Sequence, residues 1–150
     1  MEIIRGNFII STEKSKLQID VIHKYLSEES YWAKNISKER VQRAIEHAIC
    51  FGVYDGEKQI GFARIVTDYA IIAYLGDVFI LEPYRGKGLS KWLMECIVAH
   101  PDLTDLRRFV LATLDAHGLY EQFDFNSLHY PERWMERVNH KNYVDGRWLS

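Results

Sequence analysis

One segment constrains this 150-residue chain more than any other: an apolar strand that leads through a basic, glycine-containing loop into a helix. Residues 71–81 are rich in apolar side chains and predict a strand, and residues 82–88 predict a loop. From 89 to 100 the apolar residues recur at helical spacing. In such a unit the N–H groups of the loop and the N-terminus of the helix point to one place, which favours an anion.

The side chains of this loop are suited to a phosphate. Arg85, Lys87 and Lys91 place three positive charges within one turn. Because Gly86 and Gly88 have no side chain, a phosphate can approach the backbone closely. An alternative remains open, in which the loop is a solvated basic turn that only precedes a helix.

Three better-known loop motifs are excluded by single residues. A Walker A loop requires Gly where Leu81 stands and Ser or Thr where Gly88 stands. A dinucleotide fingerprint requires a third Gly at Lys91. A nucleophile elbow around Ser90 requires Gly at Trp92. A nucleotide-binding protein with the same anion loop is therefore a weaker interpretation.

The rest of the chain predicts a single mixed α/β domain over residues 1–150. Antiparallel strands precede one βαβ-like unit, which argues against a doubly wound sheet. The predicted order is β-α-α-β-β-β-α-β-α-β, with one or two closing strands in the tail. The remaining predicted strands are 3–10, 50–54, 59–67 and 109–113, and the remaining predicted helices are 15–28, one capped by Ser37, and 116–123.

Two segments resemble the GNAT N-acetyltransferases. Arg85-Gly-Lys-Gly-Leu-Ser90 is similar to their Arg/Gln-x-x-Gly-x-Gly/Ala loop, which binds the pyrophosphate of acetyl-coenzyme A. Residues 115–125 resemble their Ala-x-x-Leu/Phe-Tyr-Glu-x-x-Gly-Phe segment. There are three departures: Ser90 replaces Gly or Ala, Thr113 stands where Asn is frequent, and Asp124 replaces a Gly and must tolerate a left-handed conformation.

The resemblance implies the acyl-CoA N-acyltransferase (GNAT) fold, a mainly antiparallel central sheet flanked by helices. It implies an N-acetyltransferase that moves the acetyl group of acetyl-CoA directly to a primary amine, carried by a small molecule or a protein. The coenzyme-binding residues that it implies are Phe79, Ile80, Leu81, Arg85, Gly86, Lys87, Gly88, Leu89, Ser90, Thr113 and Tyr120. A coenzyme A-binding regulatory or sensor module with little turnover is the alternative.

The same resemblance implies catalytic residues. Tyr120 matches the general acid of the family, and a phenol with a pKa near ~10 stays protonated at neutral pH. Asp77 is an acid within an apolar strand, which indicates a function as base, a contact to the substrate amine or an arginine partner. Glu82, Asp115, His117 or water are alternatives for the base.

The acceptor pocket is expected from the first two helices, their connecting loop and the tail. Tyr31 and Trp32 in that loop are candidate substrate-binding residues, since an aromatic face attracts a cation. Packing beneath the loop is an equal alternative. Tyr69, Tyr74 and residues 131–135 are further candidates for lining the pocket.

Composition excludes several partners. The formal net charge of −2 provides no overall field for nucleic acid or an anionic membrane. No signal peptide or membrane span is recognisable, so we expect a cytoplasmic protein. The histidines are scattered, which predicts no metal site, and Cys50 and Cys96 are expected to be buried free thiols. A homodimer is compatible with the sequence, because many members of the superfamily are dimers.

Overall fold

The computed structural model of the chain describes residues 1–142, which form one six-stranded sheet and four α-helices. The strands are β1 (Glu2–Arg5), β2 (Phe8–Ser11), β3 (Ile49–Asp55), β4 (Lys58–Thr67), β5 (Ile72–Ile80) and β6 (Arg108–Leu111). The helices are α1 (Ile19–Lys24), α2 (Lys38–Glu46), α3 (Leu89–Val98) and α4 (His117–Glu121). The strands lie in sequence order, and only β5 and β6 are parallel. The predicted mixed α/β class with a mainly antiparallel sheet is therefore confirmed.

Each face of the sheet carries its own hydrophobic core. On one face α3 buries Trp92, Leu93 and Ile97 against the strands, and α4 adds Tyr120. On the other face α1 and α2 bury a second cluster, to which β5 contributes Phe79. The sheet is the middle of three layers, as the apolar stripes of the helices predict.

Local signals define the helices well. The Ser37 side chain accepts a hydrogen bond from the N–H of Arg40 and caps α2, as predicted. The helix predicted at 15–28 is regular only in α1, and it continues as a π-helical turn over Tyr25–Glu29. The predicted strands from 50 to 81, the helix from 89, and the β6 and α4 elements agree with the structure to within two residues at either end.

Two details of the predicted element order are wrong. The single strand predicted at 3–10 is the β1–β2 hairpin, because Gly6 adopts a φ of 62° and reverses the chain. The closing strands predicted in the tail do not form within the described residues up to 142. Pro131 begins a 3₁₀ turn there and has no N–H for a ladder, and Met135 is 96% exposed.

A bulge interrupts β5 beside β4. Asp77 and Val78 lie opposite the single residue Ala63, and Asp77 has a φ of 54°. Because side chains alternate along a strand, one extra residue exchanges the faces beyond it. Leu75 before the bulge and Ile80 after it thus pack into the same core.

Candidate functional site

β5 and β6 pair at one end and then separate. Their parallel pairing covers only Ile72–Leu75 and Arg108–Leu111, although β5 continues to Ile80. Beyond Leu75, the edge of β5 that faces β6 has no ladder partner among the described residues. The two strands are therefore splayed beyond Leu75, and backbone groups of β5 face the gap between them.

A small cavity of about 120 Å³ lies at this separation. It is lined by side chains from β5, from the segment after β6, and from the loop after the π-helical turn. The residues that line it include Tyr31, Trp32, Arg64, Tyr74, Asp77, Thr113, Asp115 and Tyr120. The cavity therefore brings together both predicted catalytic residues and both predicted acceptor-loop aromatics.

Asp77 is held from two sides. Its Oδ2 accepts a hydrogen bond from Nε of Arg64 at 2.8 Å, and its Oδ1 accepts one from Nε1 of Trp32 at 2.9 Å. The side chains of Arg64 and Asp77 are only 20% and 14% exposed. The carboxylate thus links the bulge to β4 and to the loop that carries Trp32. Of the predicted alternatives for Asp77, this is the one in which it has an arginine partner.

The loop that carries Tyr31 and Trp32 is held by a second contact, to the chain after β6. The hydroxyl of Tyr31 accepts a hydrogen bond from the N–H of Leu114 at 2.9 Å. The rings of Tyr31 and Trp32 are 5.0 Å apart in an edge-on arrangement. One end of this aromatic pair therefore contacts the chain after β6, and the other contacts the bulge of β5.

Tyr120 reaches the cavity from α4. It is 8% exposed, and burial raises its pKa to about 12, with smaller contributions from Tyr31 and Asp115. A phenol in such surroundings keeps its proton at neutral pH. Tyr120 is thus a buried proton donor at the same cavity as the unpaired edge of β5.

The glycine loop has the backbone of an anion site. Gly86 and Gly88 have φ values of 79° and 77°, and no atom lies within 4 Å of where their side chains would begin. In the described chain, the N–H groups from Gly86 to Gly88 have no hydrogen-bond acceptor. Lys87 and Lys91 are exposed beside them. These residues fit the pyrophosphate group that the resemblance implies.

Arg85 has protein partners that the sequence did not predict. Its Nε donates to the carbonyl oxygen of Ile80 at 3.0 Å, and its Nη2 donates to the hydroxyl of Tyr25 at 3.1 Å. Tyr25 in turn stacks on Phe79 with ring centroids 4.0 Å apart, and burial raises its pKa. Arg85 therefore ties the end of β5 to the π-helical turn.

Other predicted coenzyme residues have structural partners as well. The N–H of Leu81 donates to the carbonyl of Ile60 at 2.8 Å, and Thr113 Oγ1 accepts from the N–H of Ala116 at 3.1 Å. Leu89 is buried in the α3 core, and Ser90 is half-buried beside it.

The structure places only some of the predicted candidates for the general base at the small cavity. Asp77 and Asp115 line the small cavity, whereas Glu82 and His117 do not. His117 lines a groove of about 830 Å³ on the outer side of β6.

The predicted left-handed conformation of Asp124 is confirmed by its φ of 67°.

The candidates for lining the acceptor pocket are separated in the same way. Tyr74 lines the small cavity with Tyr31 and Trp32. Trp134 lines the outer groove and packs against the guanidinium of Arg108 at 5.0 Å. Tyr69 is 61% exposed and lines neither space.

Residues 1–142 contain no group of three or more His, Cys, Asp or Glu side chains arranged for a metal ion. No helix in this part of the chain has the length and apolar character that crossing a membrane requires. Cys50 and Cys96 are buried free thiols, as expected.

Sequence reasoning missed three participants. They are Arg64, Tyr25 and the backbone of Leu114. An arginine between Ala63 and Ile65 in a buried strand is a signal for a buried acid nearby. The other two follow from tertiary contacts and leave no local pattern.

Comparison with known proteins places these features in a family. The model of the acetyltransferase (GNAT) family matches residues 19–125. "Putative acetyltransferase FG08082" of Gibberella zeae is 29% identical over an aligned length of 136, and the match covers 77% of this chain and 77% of that chain.

Solved structures agree with this match. The crystal structure of a "putative acetyltransferase belonging to the gnat family" from Xanthomonas campestris pv. campestris is 49% identical, with a TM-score of 0.87, and covers 95% of this chain and 97% of that chain. A predicted acetyltransferase with acetyl-CoA from Clostridium acetobutylicum shares the fold at 14% identity and a TM-score of 0.65, and covers 91% of this chain and 97% of that chain.

Proposed function

Because the chain belongs to the GNAT acetyltransferase family, we propose that it transfers the acetyl group of acetyl-CoA directly to a primary amine. The observation that carries the proposal is that Tyr120 and the unpaired edge of β5 meet at one cavity. A buried proton donor beside free backbone groups is what cleavage of a thioester by an amine requires.

The glycine loop is the proposed site for the pyrophosphate of the coenzyme. Its open N–H groups and the start of α3 supply hydrogen-bond donors, and Lys87 and Lys91 supply charge. Arg85 supports the loop from behind through Ile80 and Tyr25, and we do not assign it a direct phosphate contact. When bound, acetyl-CoA supplies the activated acetyl group.

Three parts of the site have separate roles in this proposal. Tyr120 protonates the departing sulfur, since its raised pKa keeps the proton available. The backbone of β5 near Phe79 and Ile80 stabilises the charge that develops on the carbonyl oxygen. Asp77 holds Trp32 and the bulge in position, so that its part is to orient the cleft.

The amine must lose a proton before it attacks. Because both oxygens of Asp77 already accept hydrogen bonds, we propose that water accepts that proton. The engagement of Asp77 also favours the second candidate function, a coenzyme A-binding regulatory module with little turnover.

One experiment separates these functions. We expect Tyr120→Phe to lower kcat by about 10²–10⁴-fold in an assay of thiol release with an amine panel, because a general acid contributes about that much. The affinity for coenzyme A should not change. Tyr69→Phe is the matched control, since Tyr69 is exposed and lines neither cavity.

The outcomes are distinct. An unchanged rate in Tyr120→Phe would refute the acid role. Tight binding of coenzyme A without release of thiol for any amine would favour the regulatory module. Stabilisation by ATP but not by coenzyme A would refute the assignment of the glycine loop.

A further inference from the structure

The cavity at the separated strands has an uneven charge. Of the described residues that line it, Arg64, Asp77 and Asp115 carry formal charges. Arg64 and Asp77 neutralise each other at 2.8 Å. The carboxylate of Asp115 has no hydrogen-bond or salt-bridge partner in residues 1–142. One negative charge is therefore left at the site.

That charge lies at the rim and not in the interior. Asp115 is exposed, in the segment between β6 and α4, whereas Tyr120 at the same cavity is buried. The side chains of Tyr31, Trp32 and Tyr74 lie around the same space. Aromatic faces and a carboxylate both attract cations.

The interior is too small for a whole acceptor. Its 120 Å³ is well below the ~300–1,000 Å³ that is usual for ligand sites. Only the reacting end of an amine fits beside the acetyl group, and the rest of the acceptor must extend past the rim. The chemistry of the rim thus acts on a part of the acceptor that does not react.

We propose that Asp115 is a specificity-determining residue that selects acceptors with a second positive group a few bonds from the reacting amine. This inference rests on the proposed acetyl transfer. The reacting nitrogen must be neutral when it attacks, so it cannot be the group that Asp115 retains in the reactive complex. A fixed cation elsewhere on the acceptor can stay paired with Asp115 throughout.

Two amines of the same shape test the proposal. (3-Aminopropyl)trimethylammonium carries one reactive amine and a permanent charge, and 4,4-dimethylpentylamine is its neutral isostere. The measurement is kcat/KM for each amine, from thiol release, in wild type and in Asp115→Asn. Because the intrinsic reactivities of the amines cancel in the ratio between variants, only the interaction with residue 115 remains.

We expect Asp115→Asn to reduce the preference for the cationic amine roughly two- to fivefold, through KM, as for an exposed ion pair. In wild type the preference should shrink in 1 M salt, where the screening length is only ~3 Å. Asp105→Asn is the control, because Asp105 is exposed and lines neither cavity. That variant should behave as wild type does.

Other results would overturn the inference. An unchanged preference in Asp115→Asn refutes it. An equal loss of kcat for both amines, with a shifted pH profile, would identify Asp115 as the base instead. If no amine is acetylated, these two and the panel included, the proposed function fails. Binding of (3-aminopropyl)trimethylammonium, followed by NMR in wild type and Asp115→Asn, then decides the inference alone, and equal binding refutes it.

Discussion

Replacing Asp77 with Asn should lower the free energy of unfolding of the protein as well as its activity. Asn is close to Asp in shape and also tolerates the left-handed φ of 54°. Its amide oxygen can still accept the hydrogen bond from Trp32. The substitution therefore removes the negative charge opposite Arg64 and replaces the oxygen that accepts from its Nε with an N–H donor.

The structure sets the size of the effect. A hydrogen bond to a charged group contributes ~1.5–3 kcal/mol, and breaking a fully buried ion pair costs ~3–5 kcal/mol. At 20% and 14% exposure, Arg64 and Asp77 are partly screened by solvent. We expect a loss of about 2 kcal/mol in the free energy of unfolding, which lowers Tm by roughly 4–8 °C in a domain of this size.

Urea unfolding of a double-mutant cycle measures the interaction directly. The cycle uses Asp77→Asn, Arg64→Met and the double variant, and the coupling energy should be at least ~1 kcal/mol. Asp105→Asn controls for the loss of a carboxylate elsewhere. Additive effects, or a change below ~0.5 kcal/mol in Asp77→Asn, would contradict a structural part for this carboxylate.

Three further predictions test other parts of the molecule. Gly86→Glu should abolish coenzyme A binding measured by calorimetry, because it adds bulk and negative charge to the anion loop. Gly56→Glu is the control, since Gly56 is another glycine with positive φ and open space around it, and this variant should bind coenzyme A normally. If Gly86→Glu binds normally too, the site lies elsewhere. Burial raises the pKa values of Tyr54 and Tyr120 to about 12, so each tyrosine ionises at a lower pH in the unfolded state than in the folded state. The free energy of unfolding should therefore fall between pH 10 and 12, by up to about 3 kcal/mol for each tyrosine. Tyr120→Phe should flatten that decline in urea titrations, and an unchanged slope would contradict it. Ser37→Ala should cost about 1 kcal/mol by loss of the α2 cap, measured by urea unfolding, and no change would mean that the cap is unimportant.

Features that depend on neighbouring residues were predictable from the sequence. The glycine loop before α3 and the cap of α2 each follow from the backbone preferences of one or two residues. The left-handed conformation of Asp124 was predictable from the resemblance, in which a Gly stands at that position. The class of the sheet follows from the order of the apolar segments.

Features that depend on register were not predictable. Gly76 inside an apolar strand is a local signal for a bulge, but the residues that the bulge brings together depend on the alignment of β4 and β5. Its partner Arg64 is 13 residues away, and Trp32 is 45 residues away. The same reason explains Arg85: its charge predicted a phosphate ligand, whereas the position of Tyr25 across the sheet gave it a protein partner.

The bulge changes which side-chain positions of β5 face each of the two cores. Before it, odd-numbered side chains such as Leu75 belong to the α3 core; after it, the even-numbered Ile80 does, and Phe79 belongs to the opposite core. Deletion of Val78 would leave Asp77 alone opposite Ala63, while Phe79 and Ile80 would keep their partners Phe62 and Gly61 and therefore their cores. A one-residue deletion at this point would spare both cores and act instead on Asp77, whose contacts to Arg64 and Trp32 depend on the bulge.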